Sequence, residues 1–183
     1  MYKFISMAVV VILLSAQHIS AQETSSLPLD VKSGLITFTK VTELSNTSTE
    51  EMYQRALQWA STFYKNPTDV IRERDSVNGS ILCKARFKMM NPADKNGVIT
   101  DAGNVMYSLK IQFKEGRYRY ELSEINWKQQ SYFAAERWMD KKSSAYKPVY
   151  DSYLQQTETE VQRVLQSLEK AMSTKAAAKT DDW

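Results

Sequence analysis

The 183-residue chain holds one histidine, one cysteine, five glycines and four prolines. The histidine, His18, falls in an N-terminal segment with the marks of a secretory signal peptide. Lys3 stands in front, an apolar run extends from Phe4 to Leu14, and a polar stretch ends at Ile19-Ser20-Ala21. That run is too short to cross a bilayer as a helix but suits a signal core. Cleavage after Ala21 leaves a mature chain from Gln22 with no histidine and only Cys83 as a thiol. Histidine- and thiol-based catalysis is therefore not expected, nor is an internal disulfide. No cysteine follows the apolar run, so lipid attachment at that point is excluded, and a secreted or periplasmic protein is expected.

With few glycines and prolines there is no low-complexity linker, and no internal repeat occurs. Removing 21 of 183 residues leaves 162, a usual size for one domain. Such a chain buries about 68–70% of its unfolded surface and needs no metal or disulfide staple. One domain over 22–172 and a flexible tail over 173–183 are expected, because the Ala-rich end has no partner stripe. A formal charge of +3, or +2 without Lys3, is too mild for a nucleic-acid partner. No later segment is apolar for long enough to span a membrane.

What is present alternates in readable order. Leu35–Leu44 is rich in Ile, Thr, Phe and Val and predicts a strand. Ser48 and Glu51 have capping-box spacing, and Tyr53, Ala56, Leu57, Ala60, Phe63 and Tyr64 follow as one helical stripe that Pro67 closes. Val70–Val77 and Ser80–Met90 flank Asn78-Gly79, which predicts a type I′ hairpin with Glu73 opposite Lys84 and Val70 opposite Phe87. Val105–Lys114 and Arg117–Trp127 flank Glu115-Gly116, which sets Phe113 against Tyr118, Ile111 against Tyr120, Leu109 against Leu122 and Lys110 against Glu121. Tyr132, Ala135, Trp138 and Met139 suggest a short helix at the sheet edge. A long helix is predicted from about Val149 to Met172, on a stripe from Tyr150 through Leu154, Val161 and Leu168. The order β-α-β-β-β-β-α is an α+β arrangement, an antiparallel sheet with helices on one face and the other face polar.

Leu27-Pro28-Leu29-Asp30, Gly34-Leu35-Ile36-Thr37-Phe38, the helix Tyr53–Trp59 and the strand Gly116–Glu121 together resemble a family of exported proteins from Gram-negative bacteria. That family is a domain of unknown function with a TATA-binding-protein-like (TBP-like) fold, and the resemblance covers roughly residues 27 to 127. It implies fold and compartment and brings no catalytic residues. In a TATA-binding protein the exposed sheet face grips DNA. An exported domain meets little DNA, and that activity does not follow from fold alone.

Alternation turns Ile81, Cys83, Ala85, Phe87 and Met89 inward and Lys84, Arg86 and Lys88 outward. Lys110, Lys114, Arg117 and Arg119 share a face of the next hairpin, partly offset by Glu121. Neighbouring hairpins then form a cationic patch suited to anionic glycans, lipid headgroups or acidic protein surfaces, with an unknown protein, glycan or small-molecule partner expected in the cell envelope. The plainer expectation is a solvated sheet face whose charges deter aggregation. The residues expected to bind a partner are Lys84, Arg86, Lys88, Lys110, Arg117 and Arg119. The alternative is a small hydrophobic ligand carried between the sheet and the long helix, suggested by aromatics such as Trp127, Phe133, Trp138, Tyr150 and Tyr153.

Asp94, Asn96 and Gly97 match part of an EF-hand loop, but Pro92 and Gly103 stand where the pattern needs carboxylates, so no metal site is expected. Glu73, Asp75, Glu121 and Glu124 are strand carboxylates, and structural ion pairs are the expected role of Glu73 and Glu121. No phosphate loop, nucleophile elbow or metal-ligand spacing occurs, so neither enzymatic activity nor a cofactor is expected. Cys83 is expected to act as a small buried hydrophobe.

Overall fold

The computed structural model describes residues 27–129 and 131–174. The predicted signal peptide and residues 175–183 of the predicted tail lie outside them. The elements are β1 (Phe38–Glu43), α1 (Thr49–Phe63), α2 (Pro67–Val70), β2 (Ile71–Asp75), β3 (Ser80–Met90), β4 (Asp101–Lys114), β5 (Arg117–Lys128) and β6 (Tyr132–Ala134). A 3-10 turn (Ala135–Trp138) and α3 (Val149–Ser173) complete them. One antiparallel sheet runs β1-β5-β4-β3-β2, and β6 also pairs with β5. β1 takes the Arg117–Leu122 half of β5 and β6 takes Asn126–Lys128. The α+β, TBP-like architecture with its long C-terminal helix is as the sequence predicts. Among the described residues, no helix is long and apolar enough to cross a membrane.

The helices stand because they bury a face. Ser48 caps α1, its Oγ accepting from Glu51 N–H at 3.1 Å. Met52, Tyr53, Ala56, Trp59 and Ala60 turn to the core, and Trp59 Nε1 donates to Ser167 Oγ of α3 at 3.0 Å. α3 buries Tyr150, Tyr153, Leu154, Thr157, Val161, Val164, Leu165, Leu168 and Met172. Full burial contributes about 1.5–3 kcal/mol for each large apolar side chain, so packing rather than propensity holds α3. Both helices cover the sheet face lined by Ile81, Cys83, Leu109, Ile111, Phe113 and Leu122.

The β4–β5 hairpin has the predicted register: Lys114 faces Arg117, Phe113 faces Tyr118, Ile111 faces Tyr120, and Leu109 faces Leu122. The β2–β3 hairpin does not. Asp75 faces Ser80 and Glu73 faces Leu82, so neither the Glu73–Lys84 nor the Val70–Phe87 pairing forms. A type I′ turn needs positive φ at both centres, and only Gly79 has it, at 61°. Asn78 is instead held by Asp75, whose Oδ1 accepts from Asn78 N at 2.8 Å and whose Oδ2 accepts from Asn78 Nδ2 at 2.7 Å. Side chain–backbone bonding of this kind competes with the tight turn. Pro67 opens α2 rather than simply ending α1, since its fixed φ suits the first turn of a helix. Val70 belongs to that turn and not to a strand.

In place of the expected short α-helix, Tyr132–Ala134 form β6 and Ala135–Trp138 the 3-10 turn. It seats Trp138 at zero exposure, and Trp127, Tyr150 and Tyr153 lie within 5.5–6.1 Å of its ring. Glu136 Oε1 accepts from Ile36 N–H at 2.7 Å, tying this end of the sheet to the segment before β1.

Candidate functional site

The outward side chains of the sheet line up in cross-strand rows. Lys88 lies beside Asn104 and Lys128, Arg86 beside Met106 and Asn126, and Lys84 beside Ser108 and Ser123. Further along, Leu82, Lys110, Glu121 and Thr39 form a row, then Gln112, Arg119 and Val41, then Lys114, Arg117 and Glu43. All six predicted residues, Lys84, Arg86, Lys88, Lys110, Arg117 and Arg119, are exposed on this one face. No helix covers it.

Neutralisation across the face is partial. Lys88 Nζ pairs with Asp101 at 2.8 Å, Arg119 Nη2 with Glu121 at 2.7 Å, and Lys84 Nζ approaches Glu124 at 3.7 Å. Arg86, Lys110, Lys114 and Arg117 are in no ion pair among the described residues. Glu121 therefore serves Arg119 and not Lys110, its cross-strand neighbour. Exposed pairs of this kind contribute only about 0–1 kcal/mol, so they order side chains more than they stabilise the fold.

Glu124 has a special backbone. Glu124 and Ile125 together oppose Tyr107, a β-bulge in β5, and Glu124 stands at φ 56°. A non-glycine residue in that region is uncommon and costs of order 1–3 kcal/mol. The bulge lets Ile125 return to the core while the Glu124 carboxylate accepts from Ser108 Oγ at 2.5 Å. Nothing in the local sequence announces this bulge.

Two ends of the face are concave. At the β4–β5 turn, Val41, Gln112, Lys114, Arg117, Tyr118 and Arg119 line a depression of about 320 Å³. Arg119 is oriented there by Glu121 and by Thr39, whose Oγ1 accepts from Arg119 Nε at 3.2 Å. Planar guanidinium groups suit carboxylate, phosphate or sulfate. Arg117 and Arg119 were legible as members of this cluster. Val41 was not, because its place depends on the pairing of β1 with β5. At the other end, Arg86, Phe87 and Lys88 with Gln155, Gln156, Thr159, Glu160 and Arg163 of α3 line a groove of about 580 Å³.

Other candidates serve structure. Cys83 is completely buried, and burial pushes its thiol up to about 12. Asp94 Oδ1 accepts from the N–H of Asn96 and Val98 at 2.8 and 2.9 Å, so its carboxylate is turned to its own loop. Lys40 Nζ and the Tyr120 hydroxyl both donate to Glu169 Oε1, at 2.9 and 3.0 Å, and burial raises the Tyr120 hydroxyl above its ordinary range. This Lys40–Tyr120–Glu169 junction between sheet and α3 escaped sequence reading, since its members lie far apart in the chain.

Two solved structures are similar in fold. One is a TBP-like protein from Parabacteroides distasonis, with TM-score 0.64 and 17% identity over 82% of this chain and 99% of that one. The other is a DUF4468 family protein from Bacteroides ovatus, with TM-score 0.64 and 16% identity over 84% of this chain and 94% of that one. No curated protein matches the sequence. Residues 38–128 match the domain of unknown function (DUF4468) with TBP-like fold. That span runs from the first residue of β1 to the last of β5, and through it the chain belongs to the DUF4468 family.

Proposed function

We propose that this protein is a non-catalytic interaction module of the cell envelope, exported by a cleaved signal peptide, which holds an anionic partner on the outer face of its sheet. The observation that carries the reading is the uncovered face itself, where Arg86, Lys110, Lys114 and Arg117 are exposed without an ion pair among the described residues. Unneutralised cations on a rigid sheet attract and orient an anionic surface at little cost in reorganisation. The alternative of a hydrophobic ligand between sheet and α3 draws less support, because Trp127, Phe133, Trp138, Tyr150 and Tyr153 pack on one another there.

The test is in-cell cross-linking in the native host, comparing the wild type with the Arg86→Glu/Lys110→Glu variant. Loss of a reproducible partner at unchanged melting temperature supports the reading, and undiminished capture by the variant removes it. For export, N-terminal sequencing of the mature protein is expected to start at Gln22. A chain retaining Met1 contradicts the signal peptide.

A further inference from the structure

β3 is longer than the strand beside it. Its pairing with β2 ends where Ile71 meets Cys83, while β3 continues to Met90. Phe113 N–H donates to the Gly79 carbonyl at 2.8 Å, so antiparallel alternation aims the backbone groups of odd-numbered β3 residues at β4. Those of Lys84, Arg86 and Lys88 point the other way, toward the edge that β2 has left. At Met90 that edge is closed by a side chain. Gln156 Oε1 accepts from Met90 N–H at 3.1 Å and Gln156 Nε2 donates to the Met90 carbonyl at 2.9 Å, as a neighbouring strand would. Between Cys83 and Met90 no strand among the described residues does the same; the short α2 lies against β3, and the groove of about 580 Å³ flanks Arg86–Lys88 with α3 as its floor.

We infer that this edge accepts an extended acidic polypeptide segment as an added antiparallel strand, with carboxylates at alternate positions facing Lys84, Arg86 and Lys88. The inference rests on the cationic-face reading and gives it a binding mode. Charge selects the occupant. A second copy pairing through the same edge about a two-fold at Arg86 would set Arg86 against Arg86 and Lys84 against Lys88, like charges directly opposed. A strand with a carboxylate at every second residue reverses each of those contacts. Its intervening side chains would point to the floor, where Phe87 is half-buried and Glu160 is held by Arg163 at 2.7 Å. That floor suits apolar residues and disfavours further acids, so the fitting segment alternates acidic and apolar. Main-chain bonds would supply affinity and the alternate side chains specificity.

The probe is a seven-residue peptide alternating glutamate with valine, titrated into the mature protein by calorimetry. Antiparallel pairing aims the glutamate amides at β3 and the valine amides away. N-methylation of the glutamate nitrogens is therefore expected to weaken binding by about tenfold or more, and N-methylation of the valine nitrogens by less than about twofold. Arg86→Glu, at an exposed position, is expected to weaken the parent peptide by about tenfold or more. Equal binding of both methylated peptides with sensitivity to Arg86→Glu overturns strand addition and leaves the cationic face standing. Absence of binding, or binding indifferent to Arg86→Glu, overturns the inference outright.

Discussion

Arg55 of α1 reaches the last turn of α3, where its Nη1 donates to the Met172 carbonyl at 2.6 Å. Its Nη2 pairs with Glu51 at 2.5 Å, and the side chain is only 7% exposed. A cation at a helix C-terminus is favoured by the exposed carbonyls there, so one guanidinium fastens the two helices that cover the sheet. Arg55→Ala is expected to cost about 2 kcal/mol by leaving a buried carbonyl unpaired. Arg55→Lys should recover only part, since an ammonium lacks the planar fork. Urea unfolding of both variants checks this; equal stability of wild type and Arg55→Ala contradicts it.

Thr157 lies at zero exposure on α3, and its hydroxyl has no partner among the described residues. An unpaired buried hydroxyl is a cost that the methyl of valine does not carry. Thr157→Val is expected to stabilise the fold by about 1 kcal/mol, seen as a higher melting temperature. A loss of stability would mean that the hydroxyl is satisfied in solution.

Alkaline pH should unfold the domain from its core. Burial moves the Cys83 thiol from 9.0 up to about 12, with Arg74 opposing weakly. Burial likewise raises the Tyr64 and Tyr107 hydroxyls, which lie 3.3 Å apart. In each case the fold favours the neutral, protonated form. Above the ordinary value the unfolded chain binds fewer protons than the folded one, so stability falls with pH. The thiol's contribution is whole below pH 9.0 and is lost between there and about 12. Melting temperature is expected to drop steadily across that window. In Cys83→Ala it should start lower and drop less steeply. Native Cys83 should react with thiol reagents only as fast as the domain opens; rapid labelling at pH 8 would contradict its burial.

Glu124→Gly removes the strain of a side chain at φ 56° while releasing Ser108 and Lys84 from their carboxylate. The backbone relief and the lost contacts are each of order 1 kcal/mol. Stability should therefore change by less than about 1 kcal/mol, while the outer face gains one unit of positive charge. Retention on cation-exchange resin, compared at matched pH and salt, should strengthen for the variant. A large destabilisation would mean that the Ser108–Glu124 bond is what sustains the bulge.

Much of this was legible along the chain. The β4–β5 register follows from residues a few positions apart, because the two-residue Glu115-Gly116 turn fixes it and it puts Phe113, Ile111 and Leu109 on the same face as Tyr118, Tyr120 and Leu122. The α3 stripe was legible for the same reason, since its period repeats over many turns. The neighbouring hairpin misled because Asn78-Gly79 is an ambiguous local signal, and Asp75 captures Asn78 before both residues can take positive φ. The outward direction of Lys84, Arg86, Lys88, Lys110, Arg117 and Arg119 needed only strand alternation.

By itself, then, the sequence determined the long elements β1, α1, β3, β4, β5 and α3 and which side of each is apolar, because period and turn chemistry act over short distances, whereas the short α2 and β6 were not legible. Tertiary structure alone decided how those charges are shared. Glu121 turns to Arg119 and not to Lys110, the bulge at Glu124 brings a carboxylate to Ser108, and the β2 ladder stops where Ile71 meets Cys83, so that among the described residues no strand pairs with β3 beyond it on that side. Each of these depends on which strands become neighbours and where a ladder ends. That is set by how the whole sheet packs under α1 and α3, and no local run of residues encodes it.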